Sequence, residues 1–378
     1  MKSNFHIFVF FILQIAFFSA INAQTIENTD WQQVIPSENL PKNIDIQNSN
    51  NNLDFIFYEK KYYLAFRTAP THFASKKTKI YVISSEDLKK WDYETEFHLN
   101  NDLREPRFAA YKGKLFLYFF EGGKKFWKFE PQNLYFSYKE KDSETWTQHH
   151  KTSLDGYVPW RLRVHKGLLY LSAYYGKNAY NKKAVDLRLF TSEDGQNFKA
   201  ISEKPQILHE KGIGEGEFIF DAEGNIWGVA RSEFDGSHTF FASKDSIHQW
   251  KVKNSPIKYD SSLMFEDNGN IFLIARRNLD GDGKYVRKKG RDRLNLLRYS
   301  FTKKKTAIFM LEKETMSWQH IRVFASTGDT AFPALVQKEN GTYILLNYSS
   351  DIDKTDKNWI KGQLGKTYIY MTEMEVLE

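Results

Sequence analysis

One pattern recurs six times along the chain and limits the fold more than any other feature. A short strand-like run meets a polar turn, then a second run rich in aromatic and β-branched residues. The copies cover residues 54–67, 107–120, 161–175, 217–231, 262–276 and 333–349. Their turns centre on Lys60, Gly113, Gly167, Gly224, Gly269 and Gly341, with a mean spacing near 56. Glycine in a short polar turn between such runs signals a hairpin, because it accepts positive φ without strain.

A second element follows several copies: Ser85, Asp87 and Trp91; Ser192, Asp194 and Phe198; and, one residue longer, Ser243, Asp245 and Trp250. Asp and Ser side chains tie off such a turn while the aromatic packs beneath it. Weaker echoes end at Trp146 and Trp318. Helical periodicity is nearly absent. Hairpin-plus-hairpin units at this spacing predict an all-β chain, a β-propeller of six blades. Five or seven would follow if terminal strands paired differently across the closure.

The composition fits a folded chain: 41% of the 378 residues are hydrophobic and 16% aromatic. With no Cys there is no disulfide framework, thiolate metal site or cysteine nucleophile. Lys2, the apolar run 7–18 and the small residues up to Ala23 read as a secretory signal, so residues 24–378 form one exported propeller domain, secreted or periplasmic. No later segment could span a bilayer. The net charge of +7 fits an anionic ligand, and its spread does not suggest nucleic acid.

The Ser-x-Asp turns followed by an aromatic resemble the Asp-box of sialidases and related propellers. Segments that include Arg67 and His72, Arg104 to Arg107, Trp160 and Arg161, Gly214 to Glu217, Arg276 and Arg277, and Gly328 to Pro333 resemble a sialidase-like group of secreted bacterial carbohydrate-active proteins. The resemblance runs from about residue 54 to 350. It implies a propeller and glycoside hydrolysis. It also implies Glu215 as counterpart of the Glu that sialidases pair with a Tyr nucleophile, and Tyr348 as that Tyr. The Arg-Ile-Pro that opens true sialidases is absent.

The residues argue separately. In a propeller the inner strands line a central channel, and ligands bind where their loops open. Arg67, Arg231 and Arg276 close second strands at one equivalent place, while Arg104, Arg107 and Arg161 lie at the start of inner strands. A hairpin returns to the end where it began, so both sets meet at one mouth. Arginine grips carboxylate or sulfate with two prongs, which points to an acidic sugar. Asp329 joins this mouth, Trp160 offers a stacking platform, and His72 follows Arg67 as a proton carrier.

Two chemistries fit. Hydrolysis needs paired carboxylates, available from Glu215, Glu217, Glu105 and Asp329. Elimination beside a uronate, as in a polysaccharide lyase or oligosaccharide dehydratase, needs Arg to neutralise the carboxylate and His72 or Tyr348 to take the proton. Hydrolysis, exo-acting, is the favoured expectation; a non-catalytic glycan-binding propeller is the third. No metal or other cofactor is expected. The stretch 278–283 opens like a calcium loop but lacks its closing Glu, and Gly212, Gly214 and Gly216 open no helix. The basic stretch 284–305 reads as a blade insertion able to guide a sulfated polysaccharide.

Overall fold

Each hairpin copy becomes the two innermost strands of one antiparallel sheet in the computed structural model, which describes residues 24–377 except 127, 181–182, 204–206 and 289. The innermost strands are Ser49–Tyr58, Asp102–Tyr111, Tyr157–His165, Ile213–Phe220, Asp260–Asp267 and Ala331–Gln337. Each contacts the next, and the sixth contacts the first. Six sheets built on four strands each therefore close into a six-bladed propeller. The sixth blade takes its outer strand from the other end of the chain: Thr25–Asn28 pairs with Tyr368–Leu377. Pairing strands from both ends of the chain within one blade locks the ring shut.

The turn residues behave as their chemistry requires. Gly113, Gly167, Gly224, Gly269 and Gly341 have φ between 72° and 90°. Lys60 occupies the same place at φ 64° with a side chain. At the far ends of blades one and three, Ser85 and Ser192 Oγ accept the N–H of Leu88 and Gly195, both at 2.9 Å. Asp87 and Asp194 each accept two further backbone N–H groups. Trp91 and Phe198 are buried below. These turns lie at the opposite end of the blades from the mouth.

Two helices depart from the strand-only expectation. Asp292–Ser300 (α1) lies between the second and third strands of blade five, and Trp359–Leu364 (α2) in the same connection of blade six. Both connections open at the mouth. The signal-like residues 1–23 lie outside the described residues. Among the described residues no helix is long and apolar enough to cross a membrane.

Candidate active site

Strict alternation breaks at the mouth, and the break makes the site. Every inner strand shifts register there: between Asn51 and Leu53, Arg104 and Arg107, Pro159 and Arg161, Gly214 and Glu217, Asp260 and Leu263, and Ala331 and Ala334. Five of these bulges hold a left-handed residue: Asn52, Glu105, Glu215, Ser261 and Phe332, with φ from 42° to 55°. Such conformations cost of order 1–3 kcal/mol for residues with side chains and concentrate at functional sites. All five line one cleft of about 590 Å³.

The bulge separates Glu215 from Glu217, which alternation alone would put on one face. Glu217 turns into the channel and is held by Arg161 Nε at 2.6 Å and Arg163 Nη2 at 3.0 Å. Glu215 turns into the cleft, where Oε1 pairs with Arg231 at 3.0 Å and Oε2 accepts the Ser261 N–H at 2.6 Å. Burial raises the Glu215 pKa, with Arg231 pulling against it.

Glu105 lines the same cleft and has weaker support, its nearest cation being Arg107 at 3.4 Å. Burial, with the Glu215 charge adding to it and Arg107 opposing, pushes the Glu105 pKa up to about 7. One carboxyl of the pair is therefore substantially protonated at neutral pH, while the other carries a guanidinium and a backbone N–H.

The six candidate arginines divide in two. Arg67 is fully buried and donates to Asp102 Oδ1 at 2.7 Å. Arg107 stacks over the rings of Trp160 (4.8 Å) and Phe332 (4.9 Å). Arg161 ties Glu217 to Asp54, 3.6 Å away on another blade. Those three are ties between blades, and buried Trp160 packs between Arg107 and Phe332. Arg104, Arg231 and Arg276 line the cleft itself.

Each lining arginine is already oriented by an acid. Arg104 pairs with Asp102 and donates to the His72 carbonyl at 2.7 Å. Arg231 bridges Glu215 and, at 2.8 Å, Glu233. Arg276 lies 3.7 Å from Asp260, donates to Ser261 Oγ and Tyr348 Oη, and stacks on Trp359.

His72 reaches the cleft with its imidazole set by Asp329, Nδ1 to Oδ2 2.7 Å. Burial lowers its pKa, outweighing the attraction of Asp329, so the ring is neutral near pH 7. With Nδ1–H donating to the carboxylate, Nε2 keeps its lone pair. Asp329 also accepts from Tyr348 Oη and Trp359 Nε1, both at 3.1 Å. Asp329 and Tyr348 are fully buried, and neither lines the cleft. They act on it through His72 and Arg276.

Several lining residues lay beyond sequence reasoning. Glu233 is two residues past Arg231 at a strand end, a same-face spacing that could have flagged it. Tyr180 comes from an irregular connection, and Tyr299 and Trp359 from the two short helices, with no such signal. In all, eight aromatic residues wall the cleft, including Phe126 and Phe129 opposite the two helices. Among the described residues no group of three or more side chains is arranged to hold a metal.

No family model matches the chain, and no curated protein matches its sequence. Solved structures do match. A protein of unknown function from Dyadobacter fermentans superimposes with a TM-score of 0.67 at 11% identity, covering 93% of this chain and 99% of its own. The endosialidase of phage phi92 gives 0.61 at 8% identity, with 94% of this chain and 70% of that one covered. Trypanosoma rangeli sialidase, solved with the inhibitor DANA, gives 0.61 at 11%, with coverage of 92% and 59%. The likeness is one of fold. This chain spans little more than half of the trypanosomal sialidase.

Proposed function

We propose that this propeller is a carbohydrate-active enzyme that hydrolyses an acidic oligosaccharide, with Glu105 as general acid and Glu215 as the ionised carboxylate. The observation that carries this reading is the pair itself: two buried glutamates at equivalent bulges, opening into one aromatic-walled cleft. Glycosidic hydrolysis needs one carboxyl that can give a proton to the leaving oxygen and one that stays charged. Burial equips Glu105 for the first role; it raises the Glu215 pKa as well, but there Arg231 and the Ser261 N–H favour the charged form the second role needs.

The acidic substrate rests on the cations of the cleft wall. Arg104, with its side chain 13% exposed, is the arginine best able to meet a carboxylate, and Arg231 and Arg276 stand behind the glutamates. The sialidase fold of the phage and trypanosomal neighbours agrees with a sugar ligand.

A second reading has its own support. The neutral His72 held by Asp329 beside Arg104 suits proton abstraction next to a uronate, hence elimination. The variants separate the two. Under hydrolysis, Glu105→Gln and Glu215→Gln each lose at least a thousandfold in kcat on acidic oligosaccharides, while His72→Ala loses about tenfold or less. The opposite ranking would establish elimination.

A further inference from the structure

The positive charge of this protein is concentrated in one insertion. Residues 284–305 contain ten Lys or Arg against one Asp, a formal net of +9 in a chain whose formal total is +7, so the remaining residues sum to −2. This segment belongs to a connection of blade five, and its helix α1 walls the cleft with Leu296, Tyr299 and Ser300. The outer side of the same segment is different. Lys284, Lys288, Arg291, Arg293, Arg298 and Lys303 are exposed, and none has a carboxylate within ion-pair distance among the described residues. The segment's acid, Asp292, is taken by Lys211 at 2.6 Å.

We infer that this outer face of α1 and its flanks is a second binding surface, over which an anionic polysaccharide chain lies as its end enters the cleft. The inference rests on the carbohydrate reading above and adds the polymeric, acidic nature of the substrate. Three observations carry it. Unpaired exposed cations cost self-repulsion, so six of them on one short segment of an otherwise slightly acidic protein favour a polyanion. The surface is continuous with the cleft, because one helix supplies both. Leu297 on that helix and Phe301 just past its end, 55% and 57% exposed, add apolar area against which sugar rings can pack.

A repeating acid matches a row of cations better than a single charged sugar does. Its retention falls steeply with salt, because each contact releases a counterion. A membrane of acidic lipid would meet the same cations, so it forms a separate arm of the test.

The experiment uses the full chain and binding alone. Wild type, Arg291→Ala/Arg293→Ala/Arg298→Ala and a control triple, Lys89→Ala/Lys90→Ala/Lys199→Ala, are titrated with polygalacturonate, heparin, neutral dextran and phosphatidylserine vesicles. The control removes the same charge from exposed residues near the far-end turns. The expected result is binding of at least one acidic polysaccharide, weakened at least tenfold in the α1 triple and less than twofold in the control. Melting temperatures of both triples should match wild type, since all six side chains are exposed.

Equal weakening in both triples would overturn the inference, because net charge alone would then explain binding. So would binding to vesicles without binding to any acidic polysaccharide, or no binding to either polymer. Because no turnover is read, loss of the hydrolytic assignment leaves this test intact. Conversely, a wild-type enzyme that cleaves acidic disaccharides but ignores the polymers would overturn only the surface.

Discussion

Glu105 and Glu215 hold the same structural position two blades apart, each being the left-handed residue (φ 53° and 51°) at which its inner strand breaks register. That shared break gives both side chains to the cleft. Their surroundings then separate them, since Glu215 has Arg231 at 3.0 Å and a backbone donor while Glu105 has Arg107 at 3.4 Å.

The raised pKa of Glu105 has a defined effect on stability. Its folded value of about 7 exceeds the ordinary carboxyl value of 4.5, so in that window the folded state binds the extra proton. Stability therefore falls as pH rises from about 4.5 to 7, by up to about 1.4 kcal/mol per pH unit for one proton. Glu105→Gln should remove this fall and be more stable than wild type at pH 8. Chemical denaturation at pH 5 and 8 checks it. In activity, wild-type kcat/KM should decline above pH 7 as the acid loses its proton.

Asp102 holds two arginines at once, Arg67 and Arg104, and also accepts from Thr78 Oγ1 at 2.8 Å. Burial opposes its charge, yet the two guanidiniums prevail and keep its pKa below the usual range. Asp102→Ala leaves Arg67 buried and uncompensated, which should cost about 3–5 kcal/mol. A urea midpoint near that of wild type would show that Arg67 relaxes to solvent.

Lys304 is buried with its Nζ 3.5 Å from the centre of the Tyr299 ring, donating to the Tyr299 carbonyl at 2.8 Å. Burial pushes its pKa down to about 6, with Arg276 and Lys258 adding and Asp260 opposing. The unfolded chain keeps that proton to about pH 10.5, so stability should rise with pH between about 6 and 10.5, at most about 1.4 kcal/mol per unit from this group. Lys304→Met should flatten that part of the profile. Melting curves from pH 6 to 9 measure it.

Asp194 ties its turn through Gln196 and Asn197 N–H, both at 2.8 Å, far from the cleft. Asp194→Ala should lose about 1 kcal/mol and leave kcat/KM unchanged. A loss of activity at full stability would contradict a structural role for the turn.

Much of the fold was legible because hairpins announce themselves locally. Gly113 or Gly341 between aromatic runs fixes a turn whatever surrounds it, and six such turns at a propeller's spacing leave few architectures. The meeting of Arg231 and Arg276 with the inner-strand acids followed from antiparallel return. The bulges were not legible. Alternation assigned Glu215 and Glu217 to one face, and nothing local in Gly214-Glu215-Gly216 states that Glu215 takes φ 51°. Nor could sequence divide the arginines, because whether Arg67 grips a ligand or Asp102 depends on a neighbouring blade. Trp359 and Tyr299 were hidden for another reason: their helices are 6 and 9 residues long, too short for a clear period.

The most direct test of the central claim is product analysis in water enriched in oxygen-18, with uronic-acid, sialic-acid and sulfated oligosaccharides as substrates. Mass and absorbance near 235 nm are followed together. Hydrolysis through Glu105 and Glu215 predicts products that together gain one labelled water, with no new absorbance, and loss of both products in Glu215→Gln. Unlabelled products with a new absorbance would mean elimination, and the account of the two glutamates would be wrong.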